Sequence, residues 1–277
     1  MGHFTEHCVQ RNCLPRPSEV TMFGSRLLSL ALVLPPTAVP AAVPDGPRST
    51  HESCVTTLGA EVCAWVVLDG AEVVEMGATI PMALIESVPA DAEMVWPPQA
   101  LLSIDLPEEA RAALGIDHMT VNWEAHGHPP RSFLTQHFDF HFYSIATKDV
   151  GAIDCSDESK PAALPDGYAL PDIDVPGMGV LVGLCVPQMG MHAMPTPDVS
   201  ATDAFAASMM LGYYGGRPVF FEPMVARDFL LRRADFALPM PSVEGLPAGV
   251  RYPAEFRADF DAHADAYRLV FSGFDAN

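Results

Sequence analysis

The chain has 277 residues, and its 35 acidic residues against 15 basic ones give a formal net charge of −20 at pH 7. Apolar residues make up 49% of it, which allows a sizeable core and argues against disorder over most of the chain. So acidic a surface repels the phosphates of nucleic acids and anionic membranes, and we expect neither as a partner. The 27 prolines and 20 glycines favour short strands and ordered loops over long helices.

The N-terminal segment has the pattern of an export signal. Arg26 precedes the apolar run 27–34, and small residues follow at Ala38, Ala41 and Ala42, as at a signal-peptide cleavage site. The run is too short to span a bilayer, and no cysteine follows it at lipoprotein spacing, so we expect no membrane anchor. The sequence therefore predicts a secreted or periplasmic protein.

The predicted domain organisation follows from this signal. Residues 1–42 are expected to be the signal peptide, and Met22 is an alternative start because residues 1–21 fit poorly ahead of such a signal. A polar, Pro-rich stretch at 43–53 is expected to be a flexible linker. A single β-rich domain is expected at 54–277, a length that suits one large β domain.

Four cysteines remain after the signal, at positions 54, 63, 155 and 185. An even number in an exported chain indicates disulfides, for which three pairings exist. Cys54–Cys63 would close a short loop and Cys155–Cys185 a longer one. A thiolate metal site is the alternative, although no C-x-x-C motif supports it.

The first half of the predicted domain contains a hairpin, two short helices and two further strands. Asp69-Gly70 between apolar runs is a hairpin signal. Pro81 suits the first turn of a helix, and Gly115 suits the end of another. The predicted elements are strands 61–68 and 71–80, helices 81–87 and 107–114, and strands 118–123 and 138–145.

The second half is again dominated by strands. Residues 154–177 are polar and Pro-rich, which predicts a loop, and Gly215-Gly216 predicts another hairpin turn. The predicted elements are a buried strand at 179–186, strands 206–214 and 218–222, a helix at 225–233 and a last strand at 267–271. The fold class is therefore mainly β with short helices (α+β), as an antiparallel β-sandwich or a barrel-like single domain.

Histidines and carboxylates cluster around one predicted strand. His137, Asp139 and His141 alternate with three phenylalanines, so the two sets face opposite sides of the strand, the phenylalanines inwards. Imidazole and carboxylate are the usual ligands of transition metals, and Asp139 could be a ligand or the acceptor that orients a ligand imidazole. His126 and His128 share a face if their segment is extended.

Two later segments can complete such a site, because each places a donor where a predicted strand meets a loop. We expect one coordination sphere for a divalent transition metal, with zinc first. The Cα atoms of His137 and His141 would be roughly 13 Å apart on a regular strand, so either the strand bends or one histidine serves a neighbouring position. The candidate ligands are His128, His137, Asp139, His141, His192 and Glu222.

No motif names a reaction. The chain lacks the H-E-x-x-H motif, a glutamate soon after His126-Gly127-His128 and the G-x-S-x-G motif, so it matches neither zincins, cupins nor serine hydrolases. We therefore assign no catalytic residue and no substrate.

The same residues resemble a family of exported bacterial proteins of unknown function, typified by a Thermus protein under the control of an extracytoplasmic-stress sigma factor. The resemblance rests on segments 68–77, 127–130, 137–143, 189–192 and 222–224, in this order along the chain. It implies an exported, β-rich single domain, and it favours His128, His137, His141 and His192 over His126. The acidic surface and the extra cysteines depart from the family pattern.

Two functions remain open. The first is an exported protein of unknown activity with a histidine-rich metal site, as an enzyme or as a sensing or binding module. The alternative is a structural or self-assembling envelope or stress protein without metal or catalysis, whose histidines only form hydrogen bonds. A homo-oligomer is compatible with both, and the sequence identifies no small-molecule ligand.

Overall fold

A computed structural model describes residues 48–274, all of which belong to one compact unit. With 44% strand against 14% helix it is mainly antiparallel β, and its sheets pack as a sandwich and do not close into a barrel. The predicted fold class is confirmed in its sandwich form. The predicted signal peptide lies outside the described residues.

The described residues form fifteen strands: β1 (Arg48–Thr57), β2 (Ala60–Asp69), β3 (Glu72–Pro81), β4 (Ala100–Asp105), β5 (His118–Glu124), β6 (His137–Tyr143), β7 (Tyr168–Ala169), β8 (Ile173–Val175), β9 (Gly179–Leu181), β10 (Met191–Pro195), β11 (Ala207–Tyr214), β12 (Arg217–Ala226), β13 (Phe236–Pro239), β14 (Glu255–Asp261) and β15 (Ala266–Ser272). Short helices connect them: α1 (Met82–Ser87), α2 (Glu108–Leu114), α3 (Thr147–Val150), α4 (Thr196–Ser200) and α5 (Arg227–Leu230), with 3₁₀ turns at Arg131–Phe133 and Val182–Leu184.

Two large sheets make up the sandwich. One has six strands in the order β1-β2-β3-β15-β14-β13, and the other has seven in the order β4-β5-β6-β12-β11-β10-β7. Strands β8 and β9 form a separate hairpin. Phe142 of β6 packs on Phe271 of β15, with ring centroids 4.8 Å apart, so the main core lies between the two sheets.

The two faces of β6 divide as the alternation predicts. Its phenylalanines enter the main core, whereas His137, Asp139 and His141 point to the opposite, outer face of the seven-stranded sheet. This outer face is not exposed, since every residue of β6 is buried. A second apolar cluster packs there, formed by Phe133, Leu184, Met194, Met210 and Met224.

Several predicted boundaries are corrected. Residues 48–53, predicted as linker, belong to β1, because they pair along their length with β2. The predicted buried strand 179–186 is the exposed to half-buried strand β9 followed by a 3₁₀ turn, in which Gly183 has φ +60°. The predicted helix 225–233 begins two residues later, because Val225 and Ala226 continue β12 and pair with β6. The predicted loop 154–177 contains the short strands β7 and β8.

The four cysteines of the domain form two pairs at disulfide distance. Cys54–Cys63 joins directly opposed residues of β1 and β2, and Cys155–Cys185 ties the loop after α3 to the segment before β10. Disulfides persist in oxidising compartments, so both bridges suggest an extracytoplasmic environment. Among residues 48–274, no helix is long and apolar enough to cross a membrane.

Candidate metal centre

The buried outer face of the seven-stranded sheet brings the six predicted ligands together in two groups. We call His128, His137 and Asp139 the first donor group, and His141, His192 and Glu222 the second donor group. Within each group, the candidate ligand atoms all lie within 4.8 Å of one another. The candidates thus form two groups instead of the single coordination sphere expected from the sequence: β6 pairs with β5 in unbroken register from end to end, so it keeps His137 and His141 apart, and one histidine serves a neighbouring position.

The first donor group forms where the β5–β6 loop returns to the start of β6. His137 and Asp139 are two apart on β6, and the His137 Nε2 lies 3.2 Å from the Asp139 Oδ1. The His128 ring stands almost perpendicular to that of His137, with centroids 4.8 Å apart. Gly127, with φ +65°, allows this approach, because a Cβ there would lie 2.2 Å from the Phe133 carbonyl oxygen.

The second donor group is built across three strands. His141 lies on β6, Glu222 on the adjacent β12 and His192 on β10. The Glu222 Oε2 is 3.6 Å from the His141 Nε2 and 3.9 Å from the His192 Nε2. The sequence placed His192 after a predicted strand and Glu222 at the end of one, whereas both lie within strands.

The Nδ1 atom of each of the four imidazoles faces an oxygen atom. Three of them donate Nδ1–H to backbone carbonyls: His137 to Thr135 at 2.7 Å, His128 to Pro129 at 2.8 Å and His192 to Leu184 at 3.1 Å. A carbonyl oxygen can only accept, so the neutral ring carries its proton on Nδ1 and a lone pair on Nε2.

The fourth imidazole is oriented through a hydroxyl group. The His141 Nδ1 lies 3.5 Å from the Thr120 Oγ1, which in turn donates to the Asn122 Oδ1 at 3.3 Å. The Nε2 lone pairs of His128, His137 and His192 are available, as in metal-binding histidines whose other nitrogen is held by an acceptor.

Four buried atoms of the two groups lack a hydrogen-bond partner within residues 48–274: the Nε2 atoms of His137 and His141, the Asp139 Oδ1 and the Glu222 Oε2. The distances from the Glu222 Oε2 to the two histidine Nε2 atoms exceed hydrogen-bond length. In the first group, the His137 Nε2 and the Asp139 Oδ1 are close but form no N–H···O hydrogen bond. Each buried polar atom left unsatisfied costs about 1–3 kcal/mol. The groups could hold metal ions, which would supply the missing partner.

Burial sets the charge state of these groups in the protein alone. It lowers the pKa of His137 and His141 well below the usual value and that of His192 to about 4. It raises the pKa of Asp139 and Glu222 well above the usual carboxyl range. The imidazoles of these groups are thus neutral, and burial disfavours the ionised form of both carboxyl groups.

One acidic residue near the site was not singled out from the sequence. Glu124 of β5 lies directly opposite His137 and is half-buried, and burial raises its pKa to about 7. The polar alternation of β5, in which His118, Thr120, Asn122 and Glu124 share a face, was the signal that could have found it. His126 belongs to neither group: it is exposed, and its Nε2 donates to the Ala92 carbonyl at 2.9 Å.

Comparison of the chain with protein-family profiles, with curated proteins and with solved structures gives no match. The resemblance to the exported bacterial family therefore stays a prediction. The function has to be argued from the geometry of the site.

Proposed function

We propose that the chain is an exported metal-binding protein in which each donor group holds one divalent transition ion. The observation that carries the proposal is that the Nε2 atoms of His137, His141 and His192 each lie 3.2–3.9 Å from a buried carboxyl group, with His128 completing the first donor group. Hydrogen bonding alone would explain a partnered carboxyl, but it leaves the Glu222 Oε2 without a partner.

Zinc is the ion we propose. Each donor group offers two imidazoles and one carboxylate, a set that catalytic zinc sites use with a fourth position left for water or a ligand. The same set serves non-haem iron(II), so the metal has to be identified by analysis. A zinc ion bound in this way lowers the pKa of its water and can act as a Lewis acid, which is the chemistry an enzymatic role would use.

The test is elemental analysis of the exported protein purified without an affinity tag. We expect about two zinc equivalents per chain, removed by a chelator. His137→Ala and His192→Ala should each remove about one equivalent, because each takes an imidazole from one group. The control is His263→Ala, whose side chain is exposed in the β14–β15 turn; this variant should keep both equivalents.

The competing outcome is specific. If the protein contains no metal as exported and takes up none from a zinc solution, the histidines are structural. The function without metal, as a self-assembling protein, then replaces the metal-binding function. Circular dichroism of each variant checks that it is folded. N-terminal sequencing tests the export part separately: the mature chain should begin between about Ala38 and Asp45.

A further inference from the structure

A cleft with a volume of about 440 Å³ opens beside the two donor groups. Three stretches of chain line it: the loop before β4, the β5–β6 loop and the segment around β8 and β9. Its lining includes His128 and Asp139 from the first donor group and His192 from the second. A molecule in the cleft therefore reaches donors of both groups, and the volume is typical of small-molecule pockets.

The mouth of this cleft is apolar and exposed. Within residues 48–274, eight large hydrophobic side chains are exposed, and five of them line this one cleft. Isolated apolar side chains on a surface need no explanation, but a contiguous patch marks a binding site. The five are Met94, Val95, Trp96, Leu134 and Met178.

The polar end of the cleft determines which polar group of a ligand can bind there. Besides the donor groups, the titratable side chains of its lining are Glu93, Glu124 and the uninvolved His126. Together with a chain charge of −20, these carboxyl groups disfavour a free anion. An oxygen donor of the ligand would therefore need a bound cation to hold it there, while the apolar walls of the cleft match the rest of the ligand.

We propose that the cleft binds a small amphiphile, an apolar chain with one oxygen-donor head group of the carboxylate type. The head group coordinates an ion bound in one of the donor groups, and the apolar chain of the ligand runs outwards past Leu134, Met94 and Met178. The head-group half of this proposal rests on the proposed metal function. The apolar half rests only on the cleft.

The first experiment compares two hydroxamates, which are strong oxygen chelators of zinc, by calorimetry on the zinc-loaded protein. Octanohydroxamate and acetohydroxamate share a head group and differ in chain length. Each methylene buried should raise affinity about 4-fold, so burial of three would favour the longer probe by about 60-fold. Equal affinity for the two probes would overturn the proposal.

Two matched variants locate the chain. Leu134 at the mouth is 58% exposed, and Val180 outside the cleft is 60% exposed. We expect Leu134→Ser to weaken octanohydroxamate binding several-fold without changing acetohydroxamate binding, and Val180→Ser to change neither. If instead Leu134→Ser abolishes self-association while the wild type shows no chain-length preference, the patch is a subunit interface and the proposal is wrong.

A third measurement separates the two halves. The uncharged fluorescent probe N-phenyl-1-naphthylamine is titrated into chelator-treated protein. Binding that Leu134→Ser weakens supports the apolar cleft even if the protein holds no zinc, in which case only the head-group half falls with the proposed function. If the chelator-treated protein does not bind the probe while the untreated protein contains zinc, the amphiphile proposal is overturned and the metal function stands.

Discussion

Replacing Glu222 by glutamine separates a metal ligand from a buried structural acid. The side chain is 1% exposed, and its Oε2 lies 3.6 Å from the His141 Nε2. In metal-free protein burial favours the protonated form of the carboxyl group, because it raises the pKa of Glu222 well above the usual range. A glutamine amide is similar in size and can donate to His141, so we expect metal-free stability to change by less than about 1 kcal/mol.

With zinc the same change should be large. An ion present at about 100 times its Kd adds about 2.7 kcal/mol, and the variant forfeits this gain in the second donor group. In a domain of this size 1 kcal/mol moves Tm by about 2–4 °C, so the zinc-induced rise in Tm should be about 5–10 °C smaller than in wild type. Thermal unfolding with and without zinc measures it, with the exposed Glu244→Gln as control. A full zinc response, together with a large loss of metal-free stability, would refute the reasoning.

Three further predictions follow from the same geometry. Zinc binding at pH 7 should release protons from the two carboxyl groups and not from the imidazoles, because the pKa values of the carboxyls are raised and those of the imidazoles are lowered. Zinc affinity should therefore rise with pH, and calorimetry in buffers of different ionisation enthalpy counts the released protons. Removing the Cys155–Cys185 disulfide, which closes the longer loop, should lower the free energy of unfolding by denaturant by about 3.6 kcal/mol, against about 2.6 kcal/mol for Cys54–Cys63. Only the loss of Cys155–Cys185 should also weaken zinc retention, because Leu184 beside Cys185 holds His192. Gly127→Ala should release zinc from the first donor group, since its Cβ would meet backbone. Gly59→Ala, also at positive φ but in open space, should not; zinc counting decides between them.

Local signals in the sequence predicted several elements well. The hairpin predicted at Asp69-Gly70 joins β2 to β3, with its turn at Gly70-Ala71, and Gly115 ends α2 in the left-handed conformation. Both depend on the backbone preferences of a few adjacent residues. The strict alternation of β6 likewise depends only on strand geometry, which is why the sequence assigned its two faces correctly.

The sequence predictions failed where the structure depends on contacts between residues far apart in the chain. Strand β1 is a mostly exposed edge strand with little apolar pattern, and it is a strand because β2 pairs with it. The division into two donor groups depends on the sheet order, which puts β12 beside β6 and β10 two strands further on. No spacing within the chain reveals that His128 returns to His137 while His192 meets His141.

The energetic cost of this arrangement argues that the polar side chains are kept for a ligand. Each unpartnered buried atom costs about 1–3 kcal/mol, which is a sizeable fraction of the net stability of a whole domain, about 5–15 kcal/mol. Apolar residues of similar volume would avoid that cost, as they do on the opposite face of β6. One ion in each donor group would remove it, because each ion would take two of the four atoms as ligands. Because His128, Asp139 and His192 of the two donor groups line the cleft, this cost falls beside an opening where a ligand can enter rather than in a closed part of the core.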